Sequence, residues 1–158
     1  MKKPDNSLEQ LTEVKLSYRN KVKASDRPNC SNSEATFRLL WAWWDQDAIE
    51  LYEEFAVLLL DRRHRAIGIY RVSQGGLNGT VADVRLVFIA ALKARAAGII
   101  LSHNHPSRSL QPSVADVAIT HRMVQAGKLL HITVLDHLII SPEQDYYSFA
   151  DADQMDGG

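Results

Sequence analysis

Residues 55–60 read Phe-Ala-Val-Leu-Leu-Leu, apolar at every position. A run this short suits a strand, and a strand without polar alternation is buried on both faces. The fold must therefore cover a sheet from two sides, and the neighbouring segments supply the cover. Phe37, Leu40, Trp41 and Trp44 recur at helical spacing behind Ser31-x-x-Glu34, which has the form of a capping box. Because these four share one stripe, they read as core packing and not as a base-stacking platform; Trp43 lies off the stripe. Asp61-Arg62-Arg63-His64-Arg65 makes a basic turn, read as a solvated hairpin tip, and residues 66–72 return as a second strand. Thr80-x-x-Asp83 opens a second helix with Val84, Val87, Phe88, Ala91 and Leu92 inward and Gly98 at its end. Residues 99–101 form a short apolar strand. A third helix starts at Pro112 and Ser113 and runs to about Leu130. Residues 132–135, 138–140 and 146–149 read as closing strands. Strands and helices alternate, so the class is α/β or α+β, one sheet with helices packed on it.

The 158 residues suffice for one domain, placed at residues 33–150. Residues 1–32 form a polar leader, in which Val14, Leu16 and Tyr18 alternate as a short half-buried strand, and residues 151–158 form a flexible tail. A net charge of −1 gives no global basic field on which to argue nucleic-acid binding. The single cysteine, Cys30, excludes an internal disulfide and a cysteine-rich zinc site. The N-terminus lacks the apolar core of a signal peptide, and no apolar run approaches the roughly 20 residues of a membrane span. The expectation is a cytoplasmic protein without membrane contact. Gly75, Gly76 and Gly79 mark a loop, but their spacing is not that of a dinucleotide or Walker loop.

Chemistry concentrates at Ser102-His103-Asn104-His105-Pro106. His103 and His105 leave the same face of a strand end, where two imidazoles can converge on one metal ion. Pro106 stops the strand. Seven residues separate His105 from Ser113, and Ser113-x-x-Asp116 sets a carboxylate in the first turn of the next helix. Two nitrogens and one carboxylate, with a fourth position left for water, form the open pattern of catalytic zinc. Ser-x-x-Asp alone is an ordinary helix cap, as Thr80-x-x-Asp83 illustrates; the histidines give it meaning. His121 reads as a packed side chain beside Val117 and Val124. His131 begins a strand, and His64 sits in a turn.

His103-Asn104-His105-Pro106-Ser107, with Ser113 and Asp116, resembles the JAMM (MPN-plus) metalloprotease motif, and more closely the RadC-like branch of the JAB-domain family. The likeness spans residues 33–149 and takes in Gly75-Gly76-Leu77-Asn78-Gly79-Thr80 and Val134-Leu135-Asp136-His137-Leu138. It implies a cytidine-deaminase-like (JAB/MPN) α/β sandwich, a mixed β-sheet flanked by helices, and a zinc ion held by His103, His105 and Asp116. Larger RadC proteins carry a helix-hairpin-helix segment, for which residues 1–32 are too short and polar. The family pattern also has an upstream glutamate. Alignment of the apolar strand selects Glu53; Glu54 is the alternative, and adjacent strand residues face opposite ways, so only one can reach the site. Glu54 fits an exposed residue at the strand entrance. The family continues Asn-His-Pro-Ser with glycine where this chain has Arg108. That difference bears on the loop's turn and places a positive charge near the metal, although a solvent-exposed arginine is the simpler reading. His137 matches the family pattern as a structural residue beyond the ligands.

The resemblance implies a peptide or isopeptide amide as substrate. Zinc brings the pKa of water toward neutrality. Glu53 takes the proton and passes it to the leaving amine, and Ser113 offers its hydroxyl proton to the oxyanion. The alternative is an accessory protein in DNA metabolism, with a structural or vestigial metal; nucleic acid enters only through the family's label of DNA repair. Zinc deamination is disfavoured, because its site uses cysteines and the chain has only Cys30.

Overall fold

The computed structural model describes residues 10–75 and 82–156. The apolar run forms β1 (Glu54–Leu60), buried along its whole length. Its two parities feed separate cores. Phe55, Val57 and Leu59 meet Val87, Phe88, Ala91 and Met123 on one face. Ala56, Leu58 and Leu60 meet Phe37, Leu40 and Trp44 on the other. The first face is covered by α2 (Val84–Lys93) and α3 (Val114–Leu130), the second by α1 (Ser33–Trp43). Burial on both faces is thus met by helices on both faces, as a two-sided apolar strand demands.

The remaining strands are β2 (Ala66–Gln74), β3 (Gly98–Asn104), β4 (Thr133–Ser141) and β5 (Asp145–Ser148). They build a mixed sheet in the order β2-β1-β3-β4-β5. Only β3 and β4 pair in parallel, joined by the α3 crossover; the other pairings are antiparallel. This is the α/β sandwich that the resemblance implies. Two helices of the crossover face are therefore placed beside the carboxyl end of β3, the end where open α/β sheets hold their ligands. Among the described residues no helix is long and apolar enough to cross a membrane.

Several local expectations are corrected. No strand forms at residues 13–18: Val14 and Leu16 are 81% and 82% exposed, and among the described residues the segment pairs with no strand. Alternation sets which side of a strand could be buried, but a strand also needs a ladder partner. The cap of α1 is Asn32, whose side chain accepts the Ala35 N–H at 2.8 Å, and not Ser31. The cap of α2 is Asp83, which accepts from Arg85, so that helix starts after Asp83; Thr80, with Gly76, Leu77, Asn78 and Gly79, lies outside the described residues. Leu92 is exposed, and α2 ends at Lys93, while Gly98 opens β3. His131 does not begin a strand; it caps α3 in the left-handed region at φ 56°.

The largest correction concerns the two strands read at residues 132–135 and 138–140, which are one strand, β4 (Thr133–Ser141). The register of β4 against β3 jumps between Ile99–Val134 and Ile100–Asp136, leaving Leu135 as an extra residue. This bulge lets the ladder pass through Asp136 and His137 and reverses the facing of everything after it. Ahead of α1, Cys30 is buried in the core and Arg27 pairs with Asp61 at 3.1 Å. Trp44 is buried and Trp41 packs against the same core as expected, whereas Trp43, read as off the stripe, also lies against that core.

The α3–β4 packing rests on one glycine. A Cβ on Gly127 would run into the Ile132 carbonyl oxygen and meet the Val134 side chain at 3.1 Å. The first neighbour is backbone and cannot rotate away. Gly127→Ala is expected to lower stability by about 1–3 kcal/mol through overpacking, despite the better helix propensity of alanine. A urea titration checks this; a variant as stable as the parent would show that α3 lifts from β4 freely.

Candidate metal centre

His103 lies at the end of β3 opposite Phe55 of β1, their rings stacked 5.9 Å apart at an interplanar angle of 3°. This parity points toward α2 and α3, so the ligand face of β3 is the crossover face. His105 lies two residues on, just past the strand, and its N–H still bonds the Ile140 carbonyl at 2.9 Å. Pro106 then enters a turn closed by the Arg108 N–H on the His105 carbonyl at 2.9 Å. Arg108 stands at φ 70°, the conformation that favours glycine and costs a side chain roughly 1 kcal/mol. Its guanidinium bonds Glu50 at 2.7 Å and reaches Glu143 at 3.6 Å. Where the resemblance implies a glycine, a strained arginine staples the loop from outside, its charge facing two glutamates.

Asp116 enters from α3. Ser113 caps this helix, its hydroxyl accepting the Asp116 N–H at 3.1 Å while the Ser113 N–H donates to Asp116 Oδ2 at 2.7 Å. This reciprocal capping box orients the carboxylate toward the histidines. Asp116 Oδ1 lies 3.2 Å from His103 Nε2, and Oδ2 lies 3.4 Å from His105 Nε2. The two Nε2 atoms are 2.9 Å apart. One ligand atom from each of the three residues falls within 4.8 Å of the others. Burial opposes ionisation of Asp116, but contacts with His103 and His105 and the Ser113 N–H hold its pKa well below the carboxylate range. Burial likewise works against a charged His105, yet Asp116, the Ser109 carbonyl and Glu53 together raise its pKa.

The donor set fits a zinc ion. His105 Nδ1 donates to the Ser109 carbonyl at 2.8 Å, which leaves the Nε2 lone pair for the centre. Nitrogen and carboxylate donors crowd one point from three directions. Close packing of a second imidazole nitrogen and an anion against that lone pair is satisfied only by a proton or a cation. His103, His105 and Asp116 can hold the metal with a position open to solvent, since His105 and Asp116 are only partly screened.

The two glutamates separate sharply. Glu54, read above as exposed, is 2% exposed and pairs with Arg71 at 3.1 Å. It shares the parity of Ala56 and faces the α1 side. Burial raises its pKa, with Arg71 opposing. Glu53 has the parity of Phe55. With Ala115, Asp116, Ile119 and Arg122 it lines a half-open cavity of about 290 Å³. Glu53 is therefore the carboxylate on the side of the histidines. Ser113 is exposed at the helix start, and its oxygen is used as an acceptor, so its proton is free to point elsewhere.

One residue between the ligands escaped the sequence argument. Asn104 faces away from the centre and is fully buried. Its amide donates to the carbonyls of Ile49 (2.7 Å) and Tyr52 (3.0 Å) and accepts the Glu54 N–H (2.7 Å). It clamps the segment that delivers Glu53. The available signal was a buried amide at the one strand position between two ligands. The other histidines sit apart: His64 is in the exposed turn and His121 is half-buried on α3. His137 is fully buried and touches His103.

A family model, the RadC-like JAB domain, matches residues 30–155. The chain belongs to this family. Among curated relatives, a UPF0758 protein of Flavobacterium johnsoniae is 50% identical over 100 residues, covering 63% of this chain and 43% of its own length. A UPF0758 protein of Alkaliphilus metalliredigens is 46% identical over 103 residues, covering 65% and 44%. One from Porphyromonas gingivalis is 44% identical over 99 residues, covering 63% and 44%. This RadC-like chain thus spans less than half the length of these relatives.

Proposed function

We propose that the protein is a zinc-dependent hydrolase of peptide or isopeptide bonds. The observation that carries this reading is the convergence of His103 Nε2, His105 Nε2 and an Asp116 oxygen within 4.8 Å, with Asp116 also lining a cavity together with Glu53. A closed scaffold has no use for three donors facing an accessible fourth position. Zinc bound there supplies Lewis acidity and brings water toward ionisation at neutral pH. Glu53 accepts the proton from the attacking water and delivers it to the leaving amine. Ser113 donates its hydroxyl proton to the oxyanion while its oxygen continues to cap α3. Phe55, Ala115, Ala118 and Ile119 give the cleft an apolar part beside Glu53, Asp116 and Arg122.

A library of linear and isopeptide-linked peptides tests the reading directly. The protein as purified is expected to cleave a subset of it, to lose that cleavage on treatment with a chelator, and to regain it on addition of zinc. Cleavage unaffected by chelation, or none across the library with zinc bound, would remove the peptidase assignment.

A further inference from the structure

Behind the metal centre, away from the cleft, lies a closed circuit of hydrogen bonds between two of the ligands. His103 Nδ1 is 2.8 Å from His137 Nε2. His137 Nδ1 is 2.6 Å from Thr120 Oγ1. Thr120 Oγ1 is in turn 2.6 Å from the backbone carbonyl of Asp116, four residues earlier on α3. His137 and Thr120 are both fully buried, His137 between Phe55 and Phe149 at ring distances of 5.5 and 4.9 Å.

Valence fixes the direction of every bond in this circuit. A carbonyl has no proton, so the Thr120 hydroxyl must donate to Asp116. With its one proton used, Thr120 can only accept from His137. His137 therefore carries its proton on Nδ1. The ring is sealed between Phe55 and Phe149 with Thr120 Oγ1 and His103 Nδ1 as the partners of its two nitrogens, and burial with no carboxylate at either nitrogen leaves it neutral. Its Nε2 is then an acceptor, and the contact requires His103 to donate from Nδ1. A His103 protonated at Nδ1 turns a bare Nε2 lone pair toward Asp116 and His105. Reversal of the hydroxyl would reverse each bond and place a proton on His103 Nε2, where it would block a metal.

We propose that Thr120, acting through His137, is the positioning residue that selects the metal-binding tautomer of His103. The same hydroxyl ties that choice to the backbone of Asp116, so two ligands from distant segments are set by one side chain. This rests on the metal reading above but makes a claim that stands without metal.

The test uses metal-free protein labelled with ¹⁵N in histidine, held near pH 8, about 1.5 units above the ordinary histidine pKa. Long-range ¹⁵N–¹H spectra read which ring nitrogen carries the proton. Wild-type His103 and His137 are both expected to be protonated at Nδ1. Thr120→Val is expected to mix the tautomers and weaken zinc binding about 10–100-fold, measured by competition with a chromophoric chelator. Thr120→Ser is expected to restore both. A wild-type His103 with its proton on Nε2 overturns the proposal, and this needs no variant to fold. So does a Thr120→Val protein that keeps the wild-type tautomers and zinc affinity. If the tautomers behave as stated but the wild-type protein takes up no zinc, the proposal stands and the metalloenzyme reading falls.

Discussion

Replacing His105 with alanine is expected to reduce the zinc that purifies with the protein from about one equivalent to well below half. The ligand set is small. Among the described residues, the group of donors able to hold a metal is His103, His105 and Asp116 alone. Structural zinc sites bind with roughly 10–16 kcal/mol over four ligands, so one lost ligand costs about 3 kcal/mol, or a hundredfold in affinity. His105 is the informative ligand because it lies past the end of β3 and leaves the core intact when truncated, whereas His103 is packed between Phe55 and His137. His64→Ala, in the exposed turn, controls for loss of a histidine as such. Metal analysis of protein prepared without chelator decides the matter; equal zinc in the His105→Ala and parent proteins would place the metal elsewhere.

Replacing Glu53 with glutamine is expected to keep that zinc but lower amide hydrolysis by about 10²–10⁴-fold, the usual contribution of a general base. The variant keeps the size and hydrogen-bonding capacity of the side chain and removes only its ability to take a proton. Glu54→Gln supplies the contrast. Glu54 faces Arg71 on the far side of β1, so its loss should appear in thermal stability and not in turnover. Assay of both variants on a peptide cleaved by the parent reads the difference. Full activity in Glu53→Gln would move the base to another group.

The comparison of these two glutamates shows how far the primary structure carries. Adjacent strand residues face opposite ways, which reduces the choice to one of two. The family alignment then favoured Glu53. What placed Glu54 against Arg71, a residue of the neighbouring strand, was the pairing of β1 with β2, and no local signal contains that. The failed strand at residues 13–18 makes the same point from the other side. Its alternation is genuine, yet Val14 and Leu16 stay exposed because, among the described residues, nothing pairs with the segment.

The His-x-His and Ser-x-x-Asp spacings were by themselves enough to name three donors and the cap that aims one of them. Strand parity and helix capping are local and act over two to four residues, so they survive without knowledge of the fold. The two-sided strand at residues 55–60 was equally legible, because burial on both faces leaves no polar position to misread. Only the tertiary structure decided what stands behind the donors. A single extra residue at Leu135 reverses the facing of β4 and turns His137 toward His103, and the crossover of α3 sets Thr120 beneath it. Register between distant segments depends on one residue more or less in the ladder, and alternation along one strand cannot count residues on another.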